Sequence, residues 1–174
     1  MTTNIRPPAD RMITCSLTVL VYLCERMRED EVMQYLALTG RSEYDPHRAA
    51  AEFYGAGEIK WAVCDKDFRP ICAGGYEPLT PGVYQSWMVG TQKGWDEDWQ
   101  VIHRATRYGI QQLMDHGVRR LQTNGLSSRT AALAWYEKLG MKFEGTMKHF
   151  GQKGEDVAMY AITQKPKTAD EETL

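Results

Sequence analysis

Hydrophobic and polar positions fall into blocks along this chain, and the blocks predict an order of elements. Residues 1–11, with Arg6-Pro7-Pro8, read as an extended amino-terminal arm. Ile13 to Leu23 is rich in β-branched and aliphatic residues and predicts a first strand. Arg28 to Leu38 follows with Glu29, Asp30 and Glu31 at its start and Val32, Met33, Leu36 and Ala37 behind them. Acids suit a helix amino terminus and Gly40 suits its stop, so a helix is expected. Pro46 to Tyr54 reads as a second short helix, with proline in its first turn.

Glu58 to Cys64 and Arg69 to Tyr76 flank the polar turn Asp65-Lys66-Asp67-Phe68 and predict a hairpin. A second turn, Pro78 to Gly82, leads into Val83 to Thr91, where both alternate sets are largely apolar, as in a strand covered on both faces. Gly74-Gly75 suggests a bulge or a close backbone approach. Asp96 to His116 shows helical spacing through Trp99, Ile102, Thr106, Ile110 and Leu113, with Asp96 as cap. Val118 to Thr123 is a strand, Ser128 to Leu139 a helix capped by Ser127 or Ser128, and Met141 to Phe150 with Val157 to Thr163 a last hairpin. The order is strand, two helices, three strands, helix, strand, helix, two strands. It predicts an α/β (α+β) domain over 12–163, with one mixed sheet of about seven strands and helices on both faces. A polar acidic tail spans 164–174.

Composition changes this picture little. With 174 residues, 43% apolar and 25% charged, the chain matches an ordinary globular domain. A formal charge of −2 gives no basic face for nucleic acid. No run is long enough to insert in a membrane, and the amino end lacks a basic-then-apolar signal segment. Cys15, Cys24, Cys64 and Cys72 have no paired metal spacing and the four histidines are scattered, so free thiols and no metal are expected.

Trp135-Tyr136-Glu137-Lys138-Leu139-Gly140-Met141, set in that element order, resembles the closing helix and strand of the GNAT (GCN5-related) N-acetyltransferases. The resemblance covers roughly 12–163. It implies two central strands that splay apart, with acetyl-CoA in the gap and its pyrophosphate on the amino end of the following helix. It further implies Tyr136 as general acid toward the departing thiolate, Val89 and Thr91 pairing with the pantetheine, and Gln92, Lys93 and Gly94 cradling phosphate. Arg129 stands where the family usually has an asparagine facing the cofactor. Glu77 is the one candidate base. The residues themselves also allow plainer roles. Tyr136 lies on an amphipathic stripe with Ala132 and Leu139, and Glu77 adjoins Pro78 as a solvated turn residue would.

The loop departs from the family's pattern of Arg or Gln, two residues, Gly, one residue, Gly or Ala. Bulky Trp95 and the acids Asp96, Glu97 and Asp98 occupy the expected helix start. An exposed helix terminus favours an anion by about 0.3–1 kcal/mol. One carboxylate about 5 Å from a phosphate repels it by roughly 3 kcal/mol at an effective dielectric near 20. Acids there hold a helix better than a pyrophosphate.

Three segments, Met27 to Val32, Trp87 to Thr91 and Phe150 to Asp156, are together similar to GNAT-like proteins of short-tailed phages, the internal virion protein A type, which keep the fold without a well-formed cofactor loop. That resemblance implies a phage origin, location in the host cytoplasm and the phage particle, and partners among other virion proteins or a second copy of the chain. Two functions follow: a virion-associated interaction protein with lost or vestigial transfer activity, or an active acetyl-CoA-dependent N-acetyltransferase acting on an amine or a protein.

Overall fold

The apolar run that begins the chain folds as a helix. In the computed structural model, which describes residues 5–165, only Met12–Ile13 forms a strand (β1), and Leu17–Cys24 is a helix (α1). The strand expected over Ile13 to Leu23 is therefore corrected. Ser16 decides it locally: its side chain accepts the Val19 N–H and caps the helix. Leu20, Leu23 and Cys24, at helical spacing, then face the core. A short apolar run fits a buried strand and a buried helix equally, and packing chose the helix.

Glu29–Thr39 (α2) and Pro46–Gly55 (α3) follow as expected. Gly40 closes α2 at φ 69, and Asp45 caps α3 through the His47 and Arg48 amides. Ile59–Cys64 (β2), Pro70–Thr80 (β3) and Val83–Gly90 (β4) form an antiparallel meander. β3 runs through the turn expected at Pro78, and its register shifts between Pro78 and Thr80, where a residue without an N–H is tolerated. Gly74 and Gly75 sit in regular register and serve close approach instead. A Cβ at Gly74 would lie 2.7 Å from the Trp61 ring, and one at Gly75 would collide with Trp87 on the opposite face.

The helix expected from Asp96 begins earlier and is broken. Gln92–Glu97 (α4) is capped by Thr91, and Trp99–Asp115 (α5) continues after Asp98. Arg120–Leu126 (β5), Thr130–Lys138 (α6), Lys142–Met147 (β6) and Val157–Thr163 (β7) complete the domain. The α6 cap position is Arg129, with no side-chain cap bond, where Ser127 or Ser128 was expected.

The seven strands form one sheet in the order β1-β2-β3-β4-β5-β7-β6, antiparallel except between β4 and β5. Side chains alternate between its faces. Leu20, Leu23, Tyr35, Ala49 and Ala50 of α1–α3 pack with Ala62, Ala73 and Val89 on one face. Ile102, Ala105, Ile110 and Leu113 of α5 pack with Trp61, Val63, Tyr76 and Leu121 on the other. This is the mixed sheet with helices on both faces that the element order predicts. Of the arm, Ala9–Arg11 forms a single 3-10 turn, and the tail beyond 165 lies outside the described residues.

Candidate functional site

β4 and β5 are neighbours for only a short way. Their parallel register runs from Val83–Arg120 to Gln85–Gln122, and beyond it the strands diverge into a fork. Edge amides and carbonyls that would have paired across the gap need other partners. Helix α2 supplies them. On the β4 side the Gly90 N–H donates to Glu31 Oε2 at 2.8 Å. The Gly90 carbonyl accepts the Arg28 N–H at 3.3 Å, and Met27 makes an antiparallel bridge to Thr91. On the β5 side Gln34 donates through Nε2 to the Asn124 carbonyl at 3.3 Å and accepts the Leu126 N–H at 3.0 Å. Glu31 and Gln34 are three apart, so they project from one face of α2 and reach both tines of the fork.

The carboxylate in this plug is buried, with Glu31 only 8% exposed. Trp95 donates its indole N–H to Glu31 Oε1 at 3.1 Å, and Arg129 Nη2 lies 3.9 Å from the same oxygen. Arg129 also holds Asp30 at 2.8 Å and Gln34 at 2.8 Å. Burial pushes the Glu31 carboxyl up to about 7, against the Gly90 N–H, Arg129 and Arg28, which favour the ionised form. The Trp95 ring lies directly over Gly90, where a Cβ would be 2.5 Å from its Nε1. It meets Trp135 of α6 edge-on at 5.0 Å, and Trp135 in turn donates to His103 at 3.2 Å. α2 thus closes the fork at Gly90 from one face, while Trp95 covers Gly90 from the other.

Tyr136 stands at the inner end of this arrangement. Its ring packs on β5 at Gly125, where a Cβ would be 3.1 Å from it, and its hydroxyl lies 3.5 Å from the Asn124 carbonyl. Burial raises its pKa above the ordinary tyrosine value, so the hydroxyl keeps its proton at neutral pH. Arg129, which stands where the family has a cofactor-facing asparagine, also comes to the fork, but its guanidinium is engaged by α2.

The loop residues are used otherwise. Thr91 caps α4 by accepting the Gly94 N–H at 3.0 Å, and Gln92 donates to Asp96 at 2.8 Å. Lys93 turns to Asp65 at 3.4 Å and Glu97 at 3.9 Å. Gly94 is small because a Cβ there would lie 2.7 Å from the Ile71 side chain. Val89 is fully buried on the α1–α3 face. Since the helix starts at Gln92, the acids sit past its first turn. Asp98 is paired with Arg11 at 2.6 Å, and the expected place of the three acids in the first turn of the helix is corrected. Glu77 is an exposed β3 residue opposite Gln85, at the margin of the cavity.

Glu31, Gln34 and Trp95 carry the plug; the sequence singled out Trp95 as bulky at the cofactor loop but gave Glu31 and Gln34 no place there. A signal existed: Glu31, Tyr35 and Leu38 recur at four- and three-residue spacing, which puts an acid on the stripe that α2 buries. Three segments singled out in the sequence gather around α2. Met27 to Val32 and Trp87 to Thr91 join at the fork, and the Gln152 N–H of the last loop donates to the Ala37 carbonyl of α2 at 2.9 Å. A cavity of about 940 Å³ passes through the fork, lined by Tyr35, Phe53 and Trp87 on one face and Ile110, Leu121 and Met141 on the other. Among the described residues, no cluster of His, Cys, Asp or Glu is placed to hold a metal ion, and no helix is long and apolar enough to cross a membrane.

Solved structures similar in fold to this chain include acetyltransferases. The ribosomal-protein-S18-alanine N-acetyltransferase of Escherichia coli aligns at 13% identity with a TM-score of 0.67, over 92% of this chain and 95% of that one. This chain has the GNAT fold. The ribosomal-protein-alanine N-acetyltransferase of Brucella melitensis aligns at 15% identity and TM-score 0.68, over 88% of this chain and 99% of that one. A phosphinothricin acetyltransferase of Sinorhizobium meliloti, whose structure is a complex with acetyl-CoA, aligns at 12% and 0.67, over 91% and 93%. No protein-family model matches the chain, and no curated protein matches it in sequence.

At Gly90 the β4 tine has no free backbone group for the pantetheine of acetyl-CoA. The polar groups of Gly90 are taken by Arg28 and Glu31, and the Trp95 indole lies over that residue. An anionic cofactor would have to displace a buried carboxylate from its donors.

Proposed function

We propose that this chain is a GNAT-fold interaction protein of a phage particle, in which transfer activity is lost or vestigial. One observation carries the reading: the Gly90 N–H and carbonyl are both engaged by α2, and Trp95 seals the opposite face through Glu31. The plug is a closed hydrogen-bond network, and opening it would leave several buried donors without acceptors, at about 1–3 kcal/mol each. The phage and virion part is supported by the resemblance of the three segments that meet around α2. Calorimetric titration with millimolar acetyl-CoA is expected to give no saturable heat, and micromolar binding would overturn the loss of the cofactor site. Mass spectrometry of purified particles is expected to find the protein in fixed proportion to other virion proteins. Its absence from particles would overturn the virion role.

A second reading, acetyl transfer to an amine or protein, is favoured by Tyr136, whose protonated hydroxyl sits at the inner end of the fork. On that reading Tyr136→Phe lowers turnover of an amine substrate and leaves cofactor affinity unchanged. Unaltered turnover would remove Tyr136 from the chemistry.

A further inference from the structure

Helices α5 and α6 lie side by side where Trp135 of α6 donates its indole N–H to His103 Nδ1 of α5 at 3.2 Å. Along α5, Trp99, His103 and Arg107 recur every four residues and form one stripe. Trp135 and Lys138, three apart, face it from α6. The His103 ring sits between two indoles, 6.1 Å from Trp99 and 6.3 Å from Trp135. Trp99 is 45% exposed, and Trp99, Trp135 and Lys138 border the cavity where it reaches the surface. Two positive charges close the lower end of the stripe. Burial, and then the charges of Arg107 and Lys138, hold the His103 imidazole below its ordinary pKa, so the three groups stand near one another. Because Nδ1 accepts from Trp135, the neutral ring presents its proton as a donor at Nε2. Neither Arg107 nor Lys138 pairs with a carboxylate among the described residues, whereas Arg11, Arg28, Arg120 and Arg129 all do.

The stripe is thus aromatic at one end and cationic at the other. Exposed Asp96 and Glu97 precede Trp99, so carboxylates of a partner are favoured only at the Arg107 and Lys138 end. From Trp99 to Arg107 α5 rises about 12 Å, the length of about four residues of extended chain. We propose that this stripe docks an extended segment of a partner protein, with proline or other apolar residues on Trp99 and Trp135 and carboxylates on Arg107, Lys138 and the His103 N–H. Prolines suit the upper end because aromatic grooves take the rings of a chain that is already extended. Two unpaired cations on a chain of net charge −2 are too few for a nucleic-acid backbone, whose binding draws on a longer track of phosphate contacts. The proposal rests on the interaction reading and gives its partner a chemistry.

An end-blocked octapeptide of four prolines followed by four glutamates is the probe, and the same peptide with glutamines is its control. Each is titrated into the full chain at about 50 mM salt and followed by the indole N–H resonances of Trp99 and Trp135. The glutamate peptide is expected to bind roughly tenfold more tightly, and its preference to shrink as salt rises. Arg107→Gln combined with Lys138→Gln is expected to bring the two peptides within about twofold, while the glutamine peptide binds as before and shows the groove intact. Trp99→Ala is expected to weaken both peptides roughly fivefold. No saturable binding of the glutamate peptide, equal binding of both peptides by the wild type, or a preference that survives the double substitution would overturn the proposal. Tighter binding of an eight-nucleotide oligothymidylate would overturn it in favour of nucleic acid. Peptide binding that appears only with Asp170→Asn, Glu171→Gln and Glu172→Gln together would instead assign the surface to the chain's own acidic tail. Calorimetry with acetyl-CoA reads the fork separately: cofactor binding with peptide binding retained overturns the closed fork alone.

Discussion

Replacing Glu31 by glutamine tests the plug through its proton. The Glu31 carboxyl ordinarily titrates at 4.5 and is raised to about 7 in the fold. The folded chain therefore holds a proton at Glu31 over a range in which the unfolded chain has released it. Stability linked to this group is fully present below about pH 4.5 and is lost as pH rises to about 7. The shift is 7 − 4.5, which at about 1.36 kcal/mol for each pKa unit is roughly 3 kcal/mol. Glutamine keeps the side-chain shape and one acceptor oxygen but cannot titrate, so Glu31→Gln lacks this loss. Urea unfolding of both proteins at intervals from pH 4.5 to 7.5 measures the difference in unfolding free energy. Across that span the variant is expected to gain roughly 3 kcal/mol on the wild type, with most of the change below pH 7. The variant is also expected to lose about 1 kcal/mol at every pH, because its amide NH₂ faces either the Gly90 or the Trp95 donor. A difference that stays flat with pH would refute the buried, proton-holding carboxyl and with it the electrostatic account of the plug.

Other substitutions probe separate parts. Gln34→Ala leaves the Asn124 carbonyl and the Leu126 N–H without their α2 partner, so unfolding free energy is expected to fall by about 1–3 kcal/mol, and hydrogen exchange at the Leu126 amide to speed up. Gly125→Ala would place a Cβ 2.8 Å from Leu133 and 3.1 Å from Tyr136; the overpacking is expected to cost about 1–3 kcal/mol, measured as a lower melting temperature. Ser16→Ala removes the α1 cap bond to the Val19 amide and is expected to cost about 1 kcal/mol by urea denaturation.

Much of the fold is legible in particular residues. The acids and Gly40 frame α2, Pro46 opens α3, and the alternation from Val83 marks β4, because each is a local matter of dihedrals and periodicity. The aromatic pair on α6 with its following glycine carries the resemblance, and the GNAT fold follows it. Boundaries were harder where two caps competed. Thr91 and Asp96 are both good cap residues, and Thr91 prevailed because its own N–H pairs with Ile71 on β3, a contact remote in sequence. Leu17 to Cys24 became helical for a similar reason: the face of the sheet opposite α5 needed a helix to cover Ala62, Ala73 and Val89.

By itself the sequence determined most of the element order and a mixed sheet with helices on both faces, though not the helix at Leu17–Cys24 or the break at Asp98; the fork between two strands was implied by the resemblance. The resemblance also implied that Tyr136 and Arg129 would stand near that fork. What enters the fork was decided only by tertiary structure. Glu29, Asp30 and Glu31 look alike along the chain, as three acids at a helix start. The docking of α2 across β4 and β5 buries only Glu31 of the three, against the Gly90 and Trp95 donors. Burial strips its water, raises its affinity for a proton and ties it to both faces of the sheet. That difference arises from contacts 59 and 64 residues apart in the chain, which no local pattern encodes.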